Sequence, residues 1–327
     1  MDLDPYANDP ARWGHSMAHM AELMLPCLDA VGARAVAEIG AYAGDLTRVL
    51  VDWAGRSGAR VMAIDPSPRD QLVELAGRHD GLELIRETSL EALPEIELPG
   101  AVVIDGDHNY WTVSQELRLL GERAEGEHLP LLLFHDVCWP HARRDDYFAV
   151  EQIPEDYRHP VLAQSGGIVP WEKGSEPGGM PYPNSAAHEG GPRNGVLTAV
   201  EDFVNDTAGL RLVVVPAFFG FGAVWHRDAP WAGRIAEILD PWDRHPLLER
   251  LEANRVHQIA VAYSKQAEVH RLEQRTRRYE QVLTRLLESS AFSLAGRLSR
   301  LRRRAGVAPG QSEVSKDEVR RVLADQG

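Results

Sequence analysis

Aspartate and histidine residues follow two short apolar segments of this 327-residue chain. One segment is followed by Asp105, with His108 three residues further on, and the other by His135 and Asp136. Carboxylate oxygens suit Mg²⁺, Ca²⁺ or Mn²⁺, and an imidazole shifts the preference toward Mn²⁺, Fe²⁺ or Zn²⁺. We therefore predict that Asp105, His135 and Asp136 bind a divalent metal ion. The alternative is that the two carboxylates cap helices or form ion pairs.

A glycine-containing loop lies upstream of these residues. Gly40 and Gly44 would allow a tight turn and the close approach of a ligand to backbone N–H groups. Asp65 follows the next apolar segment, about 20 residues later, where a carboxylate can accept hydrogen bonds from both hydroxyls of a ribose. Alone, Asp65 fits a helix cap equally well. Together, the loop and Asp65 favour an adenosine-containing ligand.

Both groups of residues lie at the ends of predicted strands that alternate with predicted helices. The predicted strands are Ala35–Ile39, Arg60–Ile64, Leu82–Arg86, Ala101–Ile104 and Leu129–Phe134, followed by a hairpin of Leu210–Ala217 and Phe221–His226; the predicted helices are residues 15–31, Asp45–Trp53, Arg69–Arg78, Thr112–Arg123 and Leu197–Phe203. This alternation predicts an α/β fold with a Rossmann-like, doubly wound sheet of seven mostly parallel strands and a terminal antiparallel hairpin. Ligands of such sheets bind at the carboxyl ends of the strands.

Several motifs carry a resemblance to a known family. They are Glu38-Ile39-Gly40-Ala41-Tyr42-Ala43-Gly44-Asp45-Leu46-Thr47, Ala63-Ile64-Asp65, Thr88-Ser89-Leu90, Ile104-Asp105-Gly106-Asp107-His108-Asn109-Tyr110 and Phe134-His135-Asp136. In these motifs the sequence resembles the class I S-adenosylmethionine (SAM)-dependent methyltransferases over roughly residues 30–228. It is most similar to the branch that holds metal-assisted O-methyltransferases of sugars and natural products and the cephalosporin-hydroxylase-like proteins.

The resemblance implies roles for individual residues. Gly40 and Gly44 would flank the methionine part of SAM, Asp65 would hold the ribose, and Ser89 would lie near the adenine. The set of residues expected to bind SAM is Glu38, Gly40, Tyr42, Gly44, Asp65, Ser89 and Asp105. Metal-dependent relatives commonly place carboxylate or amide groups at the metal site, so His135 departs from their pattern.

Methyl transfer to a hydroxyl requires alignment of the two reactants and deprotonation of the oxygen. A bound cation would lower the pKa of the hydroxyl, and a nearby imidazole could accept its proton. The candidate bases are His108 and His135, with His141 in reserve, because all three follow strands at the ligand side of the sheet.

Composition divides the chain into two predicted parts. Residues 165–195 contain eight glycines and five prolines, and we interpret them as a substrate lid, with a disordered insertion as the alternative. Residues 1–240 are predicted to form the methyltransferase domain and residues 241–327 a helical, net-basic extension. In that extension, residues 269–286 have the apolar spacing of a coiled coil, which predicts a homo-oligomer, whereas packing on its own domain is the alternative.

Net charge restricts the partners of the protein. The chain carries 35 Lys and Arg against 49 Asp and Glu, a net charge of −14. Residues 241–327 hold 17 of the Lys and Arg and 11 of the Asp and Glu. The acidic excess therefore lies in residues 1–240, the body of the protein. This argues against nucleic acid as a partner of the body. We predict no membrane span and no signal peptide, and hence a cytoplasmic location. The arginine cluster Arg297–Arg304 has no assigned role.

These observations predict a SAM-dependent O-methyltransferase that acts on a hydroxyl of a saccharide, a glycosylated natural product or a similar small molecule, assisted by Mg²⁺, Mn²⁺ or Fe²⁺. A first alternative is an iron-dependent hydroxylase that uses His108, His135 and Asp136. A second is a non-catalytic scaffold with a methyltransferase-like fold.

Overall fold

The computed structural model describes residues 15–124, 129–163 and 166–290, together with residues 294, 297, 298, 301, 304–306 and 319. The chain divides into two compact units, Met1–Ser264 and Lys265–Gly327. The segment 1–14 and the arginines at 300, 302 and 303 lie outside the described residues. The predictions made for them, and the functional boundary at residue 240, stay predictions.

The first unit is built on a seven-stranded sheet with the order β3-β2-β1-β4-β5-β9-β8. Its strands are β1 (Ala35–Ile39), β2 (Arg60–Ile64), β3 (Leu82–Ile85), β4 (Ala101–Ile104), β5 (Leu131–Phe134), β8 (Leu210–Val215) and β9 (Phe221–His226). The pairs among β1 to β5 are parallel, whereas β9 pairs antiparallel with both β5 and β8. The predicted sheet and its terminal hairpin are confirmed.

Helices precede, connect and follow the strands, and they cover both faces of the sheet. They are α1 (Ala21–Val31), α2 (Asp45–Ser57), α3 (Asp70–Ala76), α4 (Ser89–Ala92), α5 (Tyr110–Arg123), α6 (Val196–Asp206), α7 (Ala232–Leu239) and α8 (Pro246–Glu288). One apolar cluster contains Leu50 and Leu72 and the other contains Val113 and Leu117, all four of them buried. The strands are buried because helices pack on both sides of them.

Most predicted elements recur with small shifts at their ends. Strand β5 begins at Leu131 instead of Leu129 because Pro130 has no N–H group to donate to a neighbouring strand. Helix α2 extends past Trp53 to Ser57 and ends where Gly58 adopts a left-handed conformation. The short helices α4 and α7 were not predicted.

Residues 166–195 contain an ordered hairpin. Strands β6 (Gly166–Val169) and β7 (Glu172–Pro177) pair antiparallel, and Ile168 exchanges two backbone hydrogen bonds with Met180. Sequence reasoning predicted no regular structure here, because three glycines in β6 and β7 obscure the alternation that marks a strand.

Helix α8 is 43 residues long and continues from the first unit into the second. Its first four turns bury Glu252, Val256, Ile259 and Ala260 within the first unit. Among the described residues, no helix combines the length and the apolar character that crossing a membrane requires.

Four parallel strands end at one level. Ile64, Ile39, Ile104 and Phe134 are successive partners across β2, β1, β4 and β5. The residues that follow these strands are therefore aligned along the carboxyl edge: Asp65, Gly40, Asp105 and His135. The strand order changes direction between β1 and β4: β2 and β3 lie on one side of this point, and β4 and β5 lie on the other. In folds of this class, ligands bind at such a point.

Gly40 allows the loop after β1 to lie close to the backbone of Asp105. It has a φ of 85°, and a Cβ at this position would lie 2.1 Å from the carbonyl oxygen of Asp105. We predict that Gly40→Ala destabilises the protein by about 2–5 kcal/mol, from overpacking and left-handed strain. Gly55→Ala is the control: no atom lies within 4 Å of the added carbon, and stability should be unchanged or rise by up to about 1 kcal/mol. Urea unfolding of both variants measures this, and equal stabilities would contradict it.

Candidate active site

The glycine loop between β1 and α2 turns sharply. Gly40, Tyr42 and Gly44 all have left-handed φ values, of 85°, 44° and 85°. Gly44 is the N-cap residue of α2 and has no side chain to accept the N–H groups of the first helical turn, which are the groups that bind anions at helix ends. Tyr42 is 56% exposed, and its ring lies 4.9 Å from the guanidinium of Arg69.

Asp65 fixes the shape of this loop. One carboxylate oxygen accepts the N–H of Tyr42 at 2.7 Å, and the other accepts the N–H of Ser67 at 2.7 Å. Asp65 does not cap a helix, because the N-cap residue of α3 is Arg69. Its predicted contact with a ribose stays a prediction and would use the remaining lone pairs of the carboxylate.

Glu38 lies in β1 beneath the loop and is buried. Burial raises the pKa of its carboxyl to about 8, with further contributions from the charges of Asp105, Asp65 and Asp45. One of its oxygens has no hydrogen-bond partner among the described residues.

Asp105, His135 and Asp136 converge as the sequence predicts. The Nδ1 atom of His135 lies 3.1 Å from Asp105 Oδ1 and 3.3 Å from Asp136 Oδ2. Its Nε2 atom lies 2.9 Å from the carbonyl oxygen of Phe218, a geometry in which Nε2–H donates to that oxygen. Asp136 reaches the site from a left-handed backbone with a φ of 56°. The carbonyl thereby directs Nδ1 of His135 toward the two carboxylates.

Charge dominates the protonation of this cluster. Burial disfavours a proton on His135, but Asp105 and Asp136 outweigh it, so the pKa of His135 lies well above its usual value. Burial raises the pKa values of Asp105 and Asp136. His135 and His108 lower them by more, so both pKa values lie below their ordinary range. The cluster therefore pairs two carboxylates with protonated imidazoles when no other cation is present.

His108 joins the same cluster and His141 lies beside it. His108 Nε2 is 3.1 Å from Asp136 Oδ2 and 3.4 Å from Asp105 Oδ1. Burial lowers the pKa of His108, but Asp136 and Asp105 raise it to about 9. The ring of His141 stacks on that of His108 at 5.2 Å, and burial lowers the pKa of His141.

The donor atoms of Asp105, His135 and Asp136 fit a divalent cation. Two ligand atoms at about 2.1 Å from one ion and at right angles to it are about 3 Å apart, close to the separations found here. The ligand atoms of these three residues all lie within 4.8 Å of one another. A second group within the same limit consists of His108, His141 and Asp146.

The side chain of Ser89 bonds to a helix instead of to the Asp and His cluster. It begins α4, and its hydroxyl donates to Glu116 Oε1 at 2.5 Å, where both side chains are buried. Its expected position near an adenine stays a prediction.

The run Arg143-Arg144-Asp145-Asp146 was overlooked, because sequence reasoning treats runs of charge as solvated. Arg144 is fully buried and donates to the carbonyl oxygens of Ala186 and Lys173 at 2.7 and 2.6 Å. Asp145 accepts the N–H groups of Gly195 and Tyr110 at 2.6 and 2.8 Å. The Arg144–Asp145 pair thus attaches segment 166–195 to the loop after β5. The signal in the sequence is the position of this run directly after a strand of the carboxyl edge.

A family model described as a methyltransferase domain matches residues 37–137, the segment that contains the glycine loop, Asp65, Asp105 and His135. Residues 37–137 therefore carry a methyltransferase domain. A search of curated proteins returns no match.

Solved structures similar to this chain include three proteins with low identity. A Podospora anserina methyltransferase bound to S-adenosylhomocysteine is 13% identical (69% of this chain, 89% of that chain, TM-score 0.39). An O-methyltransferase family protein from Burkholderia thailandensis is 16% identical (69% and 62%, TM-score 0.37). Human N-acetylserotonin methyltransferase is 13% identical (67% and 56%, TM-score 0.34). At these TM-scores the fold assignment rests on the strand order instead.

The raised pKa of Glu38 predicts a pH-dependent stability of the methyltransferase domain. The unfolded carboxyl ionises near its ordinary value of 4.5, whereas the folded one keeps its proton until about 8. Between these values the folded state binds more protons, so stability falls as the pH rises, by up to about 1.4 kcal/mol per pH unit. Glu38→Gln removes this loss, and its stability relative to the wild type should increase from pH 5 to pH 8.

Urea unfolding of the SAM-free protein at pH 5 and pH 8 measures this difference. Glu91→Gln is the control, because the hydrogen bonds from Thr88 lower the pKa of Glu91. From pH 5 to pH 8 the difference between that variant and the wild type should stay nearly constant, because Glu91 is ionised in both the folded and the unfolded state above its ordinary value of 4.5. A difference between Glu38→Gln and the wild type that is the same at both pH values would contradict the assignment.

Proposed function

We propose that the chain is a SAM-dependent O-methyltransferase that methylates a hydroxyl of a small molecule such as a saccharide or a glycosylated natural product. The observation that carries the proposal is the meeting of the glycine loop with Asp105, His108, His135 and Asp136 at one edge of a methyltransferase domain. The loop and Asp65 would bind SAM, and the Asp and His residues would bind the acceptor hydroxyl.

The reaction would displace the sulfonium in line. The acceptor oxygen forms a bond to the methyl carbon, the bond from that carbon to sulfur breaks, and S-adenosylhomocysteine leaves. The hydroxyl proton passes to an imidazole. We assign this role to the neutral form of His108, which a cation between the two carboxylates would favour, because both ring nitrogens of His135 are occupied by Phe218 and the two carboxylates. The two roles predicted for His135, base and ligand, compete for Nδ1.

Asp105, His135 and Asp136 would hold a divalent cation. Such an ion lowers the pKa of a hydroxyl and fixes its direction. The carboxylates of Asp105 and Asp136 also raise the pKa of His108, so a cation and the proton on His108 compete for the same negative charges. The ordered segment 166–195 would exclude water from the acceptor as a lid.

SAM binding tests the core of the proposal. By calorimetry, we expect the wild type to bind SAM and Asp65→Ala to bind it about 10–100-fold more weakly, because the hydrogen bonds that shape the loop are lost. The control is Asp80→Ala, at an exposed turn, with wild-type affinity expected. Absence of SAM binding to the wild type would overturn the proposal in favour of the scaffold.

Metal assistance is tested by titration with Mn²⁺ and by methyl transfer to a panel of saccharides, glycosides and phenols. We expect Asp136→Ala to lose Mn²⁺ binding. With a chelator, the wild type should lose turnover and keep SAM binding. Turnover that survives chelation would remove the metal from the proposal.

The iron-dependent hydroxylase remains a second candidate. The group of His108, His141 and Asp146 has the two imidazoles and one carboxylate that suit Fe²⁺. Oxygen consumption that depends on added Fe²⁺, in a protein that does not transfer a methyl group, would favour this candidate.

We propose further that the second unit mediates association with another copy of the chain. In α8, Leu272, Tyr279, Val282 and Leu286 are 39–59% exposed and recur at spacings of three, four and seven residues. A seam of this kind is typical of a coiled coil.

Light scattering of the full chain tests this. We expect a dimer or larger species that becomes a monomer in the double variant Leu272→Glu, Leu286→Glu, whereas Arg271→Glu should not change the mass. A monomeric wild type would contradict the proposal.

A further inference from the structure

The turn between β8 and β9 has an unusual backbone. Phe218 and Phe219 are consecutive non-glycine residues with left-handed φ values of 51° and 67°. Conformations of this kind cost on the order of 1 kcal/mol or more for each residue, so surrounding contacts must hold them. The next residue, Gly220, has a φ of 100°, and a Cβ there would lie 2.6 Å from the backbone nitrogen of Cys138.

Glu252 of α8 holds this turn from the outside. Its two carboxylate oxygens accept the N–H groups of Phe218 at 3.1 Å and of Phe219 at 2.7 Å. Glu252 is 8% exposed, whereas the other acidic residues of this helix are exposed or half-buried. The carboxylate therefore satisfies both N–H groups that the left-handed turn directs away from the sheet.

Arg255 neutralises the buried carboxylate. Its guanidinium donates to both oxygens of Glu252, at 2.7 and 2.5 Å. The same guanidinium lies 4.3 Å from the ring centre of Phe219 and 5.7 Å from that of Phe218. The pair thus contacts both the backbone and the side chains of the turn.

The inner side of the turn faces the active site. The carbonyl oxygen of Phe218 accepts Nε2–H of His135, and that of Phe219 accepts the N–H of Cys138 at 2.8 Å. These bonds flank Asp136. One short turn therefore connects a carboxylate of the C-terminal helix to His135 and Cys138, in the segment that follows β5.

We infer that Glu252 is a positioning residue for the active site: through the Phe218–Phe219 turn it holds the carbonyl that directs Nδ1 of His135 toward Asp105 and Asp136. This inference rests on the proposed function, since it assigns His135 a ligand role. The C-terminal helix is then a part of the site, which no motif at the carboxyl edge reveals.

The test compares Glu252→Gln with Glu249→Gln in the full chain. Glu249 lies one helical turn earlier and is exposed, so it is the matched control. A glutamine at 252 removes the charge and can accept only one of the two N–H groups. The first readout is the NMR signal of the His135 Nε2–H proton, assigned by its loss in His135→Gln. The second is Mn²⁺ affinity, and the third is SAM affinity.

We expect Glu252→Gln to lose or broaden the His135 signal and to bind Mn²⁺ about tenfold more weakly or worse, with SAM affinity unchanged within threefold. Glu249→Gln should match the wild type in all three. A Glu252→Gln protein that unfolds cooperatively and keeps both the His135 signal and the Mn²⁺ affinity overturns the inference.

Two further outcomes are distinguishable. If Glu252→Gln does not fold, Glu252→Asp keeps the charge but shortens the reach, and an unchanged His135 signal in that variant overturns the inference. If the wild type does not bind Mn²⁺, the metal part of the proposed function fails, and the His135 signal alone decides whether Glu252 positions the imidazole.

Discussion

Repulsion among carboxylates at the carboxyl edge of the sheet is the constraint on which the site depends. Register brings Glu38, Asp65, Asp105 and Asp136 to one edge, where burial makes unbalanced charge costly. Each is compensated differently. Glu38 keeps its proton to about pH 8, Asp65 accepts two backbone N–H groups, and Asp105 and Asp136 face His135 and His108. In the proposed reaction, an edge arranged in this way would hold an adenosine ligand and a cation.

The compensation extends beyond the edge. His135 can face the two carboxylates because its other nitrogen donates to Phe218, and that carbonyl is held in a left-handed turn. Glu252 and Arg255 satisfy the turn from helix α8. A chain of hydrogen bonds thus connects the C-terminal helix to the imidazole.

A similar logic applies to segment 166–195. Its hairpin is attached to the loop after β5 through Arg144 and Asp145, which are buried at 0% and 1% exposure. Buried charges of this kind remain only where hydrogen bonds satisfy them, and here the partners include backbone groups of the segment itself. The same loop carries His141 and Asp146, so the segment and the histidine cluster share one support.

The sequence by itself determined the sheet, its terminal hairpin, the glycine loop and the convergence of Asp105, His135 and Asp136. These follow from local patterns: apolar runs of strand length, glycines at tight turns and polar residues where parallel strands end. Only the tertiary structure decided that Glu38 keeps its proton, that Arg144 and Asp145 are buried, that segment 166–195 forms a hairpin and that Glu252 holds the turn beside His135. The physical reason is that burial and hydrogen-bond partners are supplied by residues far away in the chain. Glu252 and Phe218 are 34 positions apart, and Phe218 and His135 are 83 apart. No periodicity or spacing within one segment encodes such contacts.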